Sequence, residues 1–146
     1  MESLKSRVLI ALVEAVAVVG LGLIPSEGVG SVTQETESAL QEQGNGLMKN
    51  VEDMVAHGGM GDANAIVYHC GQAGRYAEGL LKELLSSDRR QSQAVGYLNE
   101  VIQQCKRVSE IGPHADPGLL LNPAIKARAA ARESIKSLGL MKTGKS

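Results

Sequence analysis

The stretch that decides the fold is residues 62–110, DANAIVYHCGQAGRYAEGLLKELLSSDRRQSQAVGYLNEVIQQCKRVSE. Ile66, Cys70, Ala73, Ala77, Leu80, Leu81 and Leu84 recur at intervals of three and four, the period of a helix that buries one face. A polar turn at Ser86-Ser87-Asp88 follows. A second stripe then runs through Ala94, Val95, Leu98, Val101, Ile102, Cys105 and Val108. Two apolar stripes joined by a short polar turn predict an antiparallel helical hairpin. Residues equally far from such a turn lie at the same height. The midpoint between Cys70 and Cys105 falls inside the turn, so the two thiols are expected at one level, both on the apolar faces where the helices meet. Asp62 is well suited to cap the first of these helices. Gly71, Gly74 and Gly79 each weaken it by roughly 1 kcal/mol against alanine, although Gly71 and Gly74 would permit a close helix crossing.

One helix is expected before the hairpin and one after it. In the preceding segment, from Val32 to His57, Leu40, Leu47 and Met54 are spaced by seven, with Ala39, Met48, Val51 and Val55 on the adjoining face. Gly44-Asn45-Gly46 normally signals a break. The spacing passes through it in phase, so one kinked helix is favoured over two. Glu35 and Glu37 near its start would complement the helix dipole, and Gly58-Gly59-Met60-Gly61 would end it. After the hairpin, Gly112-Pro113 stops the third helix. Asp116-Pro117 and Asn122-Pro123 are both cap-plus-proline start signals, so the fourth helix begins at Pro117 and bends, or begins at Pro123. Its expected face is Leu120, Leu121, Ala124, Ile125, Ala131, Ile135 and Leu138. Short connections make antiparallel neighbours. The expectation is an all-α, up-and-down antiparallel four-helix bundle over residues 32–139, with residues 140–146 a flexible basic tail.

Helices two and four align at an offset of 54, which sets Asp62 on Asp116, Ile66 on Leu120, Ala73 on Ala127, Leu81 on Ile135 and Leu84 on Leu138. Helix one aligns with helix three, Met54-Val55-Ala56-His57 lying on Val101-Ile102-Gln103-Gln104. The bundle therefore reads as two repeated helical hairpins.

Residues 1–31 read as a signal peptide. Lys5 and Arg7 give a positive start, residues 8–24 are apolar apart from Glu14, Pro25 breaks any helix, and Gly28-Val29-Gly30-Ser31 offers small residues for cleavage. Glu14 is costly to insert into a membrane. The run is also shorter than the roughly 20 apolar residues of a spanning helix. A cleaved signal is favoured over an uncleaved anchor or a soluble segment, and it places the mature chain in the periplasm or otherwise outside the cytoplasm, with no stable membrane insertion. In an oxidising compartment paired cysteines tend to be joined. A Cys70–Cys105 disulfide is one fate of the two cysteines; free thiols, as metal ligands or packed apolar groups, are the other.

Composition narrows the functions. The chain has 146 residues, 16 acidic and 15 basic; without residues 1–31 thirteen of each remain. A neutral body offers no electrostatic reason to bind nucleic acid or an anionic membrane. Without Phe or Trp and with three Tyr, base stacking on aromatics is excluded as a binding mode. No Ser/His/Asp motif, phosphate-cradling glycine loop, Cys-x-x-Cys-His run or paired Glu-x-x-His unit is present, so the chain does not read as an enzyme.

The run MVAHGGMGD, residues 54–62, continued to His69, resembles the helix–His-Gly–turn–helix unit of the small metal-binding protein family (SmbP), with looser similarity from Leu47 to Leu138. That resemblance implies an exported bundle of two hairpins that binds divalent metals in the periplasm, copper especially. Tyr76, Gln104 and Asn122 occupy positions where a further histidine is expected. The topology gathers His57, Met60, His69, Cys70, Cys105 and His114 near one end of the bundle, and imidazole, thiolate and thioether suit copper or zinc. Asp62 or Asp116 would add an oxygen, although both are most simply caps. The expected metal ligands are His57, His69 and His114. Without a metal, His57 is a helix-end residue favoured by the dipole, His69 a half-buried histidine and His114 a solvated loop residue. The alternative is a non-enzymatic structural or interaction bundle that has lost most metal ligands and presents Lys126, Arg128, Arg132 and Lys136 to a protein partner.

Overall fold

The computed structural model describes residues 29–86 and 92–140. They form four helices and no strand: α1 (Val29–Gly59), α2 (Ala63–Ser86), α3 (Ser92–Ile111) and α4 (Pro117–Ser137). The expected signal peptide falls almost wholly outside the described residues, and its expected boundary lies in the first turn of α1. Residues 87–91 and 141–146 also lie outside them.

The helices pack in a ring: α1 on α2, α2 on α3, α3 on α4, and α4 back on α1. Of the two diagonals, α2 and α4 touch while α1 and α3 do not. The reason lies in side-chain size. Ala73 and Ala77 on α2 and Ala124, Ala127 and Ala131 on α4 are all fully buried, so these two helices approach where bulkier residues would hold them apart. The larger core side chains, among them Leu47, Met54, Ile66, Leu80, Leu84, Leu98 and Leu120, are completely enclosed. Each contributes roughly 1.5–3 kcal/mol by leaving water.

Asp62 shows how the turns are specified. Its backbone N–H donates to the His57 carbonyl at 3.1 Å and closes α1. Its carboxylate accepts from the Ala65 N–H at 2.9 Å and opens α2. Gly61 between them has φ +79°, the left-handed conformation that such a helix ending requires. At the other hairpin Gly112 has φ +80°, and Asp116 accepts from the Gly118 N–H at 2.7 Å. The correspondence expected at an offset of 54 thus has a structural counterpart, with equivalent caps and with Ile66, Leu120, Ala73 and Ala127 all fully buried.

Several local expectations change. One does not: α1 is a single helix through Gly44-Asn45-Gly46, as favoured, and tertiary packing occupies the space those glycines leave. A Cβ on Gly46 would run into the Tyr76 ring, and one on Gly44 would sit 3.1 Å from Ile135 Cδ1. Glu35 and Glu37 lie beyond the first turn of α1, since the helix is already formed at Val29. Ala39 is exposed. α4 begins at Pro117 and carries Pro123 inside it. Its buried face includes Ala127, Ala130 and Ser134, while Ile125 is 43% exposed. Ser134 tolerates burial because its hydroxyl donates to the Ala131 carbonyl at 2.8 Å. Leu140, expected as the first residue of a flexible tail, packs against the core, and its carbonyl accepts from the Gln41 side chain at 3.2 Å.

Candidate imidazole site on the first hairpin

The two histidines that flank the α1–α2 turn come together. The rings of His57 and His69 stack with centroids 5.4 Å apart and planes 13° from parallel. Tyr68 meets His69 edge-on at 5.1 Å. Both imidazoles are half-buried. His57 is fixed at the backbone, because its carbonyl accepts from Met60 at 3.0 Å and from Asp62 at 3.1 Å. Its ring makes no hydrogen bond among the described residues.

His69 is held differently. Asn50 donates through Nδ2 to the Gly46 carbonyl at 2.9 Å, which fixes the orientation of its amide. The Asn50 Oδ1 therefore faces His69 Nδ1 at 3.1 Å as an acceptor. Nδ1 therefore donates, and in the neutral ring Nε2 keeps its lone pair free. A buttress on one ring nitrogen with the other available is the arrangement found in histidines that ligate metals. Asp53, three residues on from Asn50, lies on the same face of α1. Its carboxyl is held below the usual carboxylate range, chiefly by the hydrogen bond from Lys49 at 2.6 Å, and the two imidazoles act in the same direction.

His114 stands apart. It is exposed in the loop between α3 and α4, and no hydrogen bond or ring contact joins it to the stacked pair among the described residues. Met60 is 72% exposed, and Asp62 and Asp116 serve as caps. No group of three or more His, Cys, Asp or Glu side chains is placed to hold a metal among the described residues. The protein offers two nitrogens at one place.

The thiols meet as the hairpin geometry requires. Cys70 and Cys105 are 0% and 4% exposed, and they share a side-chain hydrogen bond between α2 and α3. That bond, together with burial, pushes the Cys70 thiol well above its ordinary range. Both cysteines are free thiols in this structure.

The second hairpin has something else at the corresponding place. The repeat offsets carry His57 onto Gln104 and His69 onto Pro123. These two residues line one cavity of about 380 Å³, together with Arg107, Asn122 and Lys126. Gln104 donates to Glu100 at 2.8 Å, but its Oε1 is buried without a partner. The basic row of α4 is half balanced: Arg132 and Arg128 share Glu52 of α1 at 2.6 and 3.5 Å, and Lys136 lies 3.9 Å from Glu133. Only Lys126 of that row has no ion pair among the described residues.

Sequence reasoning missed Asn50, Asp53 and Tyr68. The first two were discoverable: positions 50, 53 and 57 fall on one helical face at spacings of three and four. Fold and site define an all-α four-helix bundle with an imidazole pair beside one inter-helix turn. The chain matches no protein-family profile, no curated protein and no solved structure.

Proposed function

We propose that this protein is a metal-binding bundle rather than an enzyme, one that holds a divalent ion such as copper or zinc through His57 and His69. The observation that carries the reading is the Asn50-buttressed His69 with its free Nε2, 5.4 Å ring to ring from His57. Two imidazoles bound to one tetrahedral ion at 2.0–2.1 Å hold their ring centres about 5 Å apart. The separation therefore fits, and the nearly parallel planes do not. Binding requires one ring to turn about its Cβ–Cγ bond. His57 is the ring free to turn, since His69 is held by Asn50. Water, or Asp53 once released from Lys49, would fill the remaining positions. A site with two protein nitrogens exchanges its ion readily, which suits buffering rather than permanent storage.

The resemblance of residues 54–62 and His69 to the small metal-binding protein family supports the same reading, as does the leader-like character of residues 1–31, which favours export to the periplasm. No helix among the described residues is long and apolar enough to cross a membrane. The alternative of a basic docking face keeps only part of its charge, because Arg128 and Arg132 share the one carboxylate of Glu52.

Calorimetric titration of the full chain with zinc and with copper(II) tests the proposal. One saturable equivalent, lost in the His57→Gln/His69→Gln double variant and retained in His114→Gln, is the expected result. Absence of saturable binding below millimolar metal, or unchanged binding in the double variant, would overturn it.

A further inference from the structure

We propose that Cys70 and Cys105 form a reversible dithiol–disulfide pair that small disulfides reach through a glycine-floored groove, with Cys105 the thiol that reacts with them first. This inference does not rest on the metal reading. Cys70 and Cys105, one on α2 and one on α3, are both buried and both line one groove between those helices. Beside them runs an open groove of about 240 Å³, bordered by Gly71, Gly74, Ile102 and Ser109. A Cβ at Gly71 would meet nothing within 4 Å, and one at Gly74 would have only the Cβ of Cys105, at 3.8 Å. The glycines thus leave open the approach that ordinary helix side chains would cover. Cys105 shows a small exposed area at the groove, whereas Cys70 is sealed.

Arg75, Lys106 and Glu78 also line the groove, and Lys106 lies 3.9 Å from Glu110. Arg75 has no ion pair among the described residues.

The oxidant is a low-molecular-weight disulfide such as oxidised glutathione. Cys105 loses its proton to water, and its thiolate attacks one sulfur of the oxidant. The oxidant's S–S bond breaks, and the first glutathione leaves as a thiolate that takes up a proton. The mixed disulfide is now held on Cys105. Cys70 gives up its proton and attacks the Cys105 sulfur, expelling the second glutathione as a thiol. Two protein thiols become one S–S bond while one glutathione disulfide becomes two thiols, so two electrons pass from the protein to the oxidant. The product ties α2 to α3 and thereby locks the two hairpins together.

The test uses the full chain, reduced and then exposed to oxidised glutathione, with intact mass and thiol count followed in time. The wild type is expected to lose both thiols together, with a mass lower by roughly 2 Da and no dimer. Cys70→Ala is expected to stop at a single glutathionyl adduct on Cys105, and Cys105→Ala to react at least about tenfold more slowly, because its remaining thiol is sealed. Gly71→Leu/Gly74→Leu, checked for unchanged helix content, is expected to slow oxidation of the wild-type pair. Two thiols that stay free in the folded wild type at every glutathione ratio, cross-linked dimers in place of an internal bond, or equal adduct rates in the two single-cysteine variants would each overturn the proposal.

Discussion

Replacing Asn50 with leucine is expected to weaken the proposed metal binding without touching either proposed ligand. The substitution keeps the approximate shape and removes the acceptor opposite His69 Nδ1, which lies at 3.1 Å. It also removes the donor to the Gly46 carbonyl at 2.9 Å. Stability is expected to fall by about 1–3 kcal/mol, two partly solvated hydrogen bonds at about 0.5–1.5 kcal/mol each. The larger effect is on the ring. Without its buttress the imidazole can place its proton on Nε2, which blocks the coordinating lone pair, and can turn away from His57. Loss of such a support costs a metal site about 10–100-fold in affinity, or about 1.4–2.7 kcal/mol. Asn50→Asp is the contrasting variant. A carboxylate still accepts from Nδ1–H and makes the ring a better ligand, so affinity is expected to hold or rise. Zinc titration by calorimetry gives the affinities, and nitrogen chemical shifts of the two histidines give the tautomers. Equal affinity in the leucine variant, or an Nε2-protonated His69 in the metal-free wild type, would refute the reasoning.

Three further outcomes follow from the same geometry. Asp62→Ala removes the acceptor that opens α2 and is expected to lower unfolding free energy by about 1 kcal/mol in urea denaturation. Gly46→Ala places a methyl group against the Tyr76 ring and is expected to destabilise by about 1–3 kcal/mol; in a Tyr76→Ala background the same change is expected to stabilise, because only the helix-propensity gain of about 1 kcal/mol remains. Gln104→His with Pro123→His recreates the imidazole pair on the second hairpin, and zinc titration is expected to show a second equivalent.

How much was legible in the sequence depended on how local its cause was. The stripes of α2 and α3 needed only periodicity, and burial of Ile66, Cys70, Leu84, Leu98 and Val108 follows them. The caps at Asp62 and Asp116 were equally local, since each bonds to an N–H two or three residues away. The level of the thiols followed from symmetry about a turn. What failed was set by neighbours distant in the chain. The unbroken run of α1 through residues 44–46 was legible from the spacing of Leu40, Leu47 and Met54, but not that Tyr76 and Ile135 fill the space beside those glycines. Ile125 was expected in the core and is 43% exposed, while Ser134, outside the expected face, is enclosed, because the close α2–α4 diagonal turns α4 toward its small residues.

The site was legible only in part. His57 and His69 were found from their flanking of the α1–α2 turn, and the structure does stack them. His114 is at the same end by topology, yet the α3–α4 loop holds it in solvent. Topology fixes which end of a bundle a residue occupies but not its distance from another loop. Asn50 was missed because its importance lies in the amide orientation that Gly46 imposes, which no spacing rule reveals.

The most direct measurement of the central claim is the electron paramagnetic resonance spectrum of the full chain loaded with one equivalent of copper(II). Nitrogen hyperfine structure from two imidazoles is expected, reduced to one ring in either His57→Gln or His69→Gln and unchanged in His114→Gln. An aqueous copper signal in the wild type, or a nitrogen pattern indifferent to both substitutions, would contradict it.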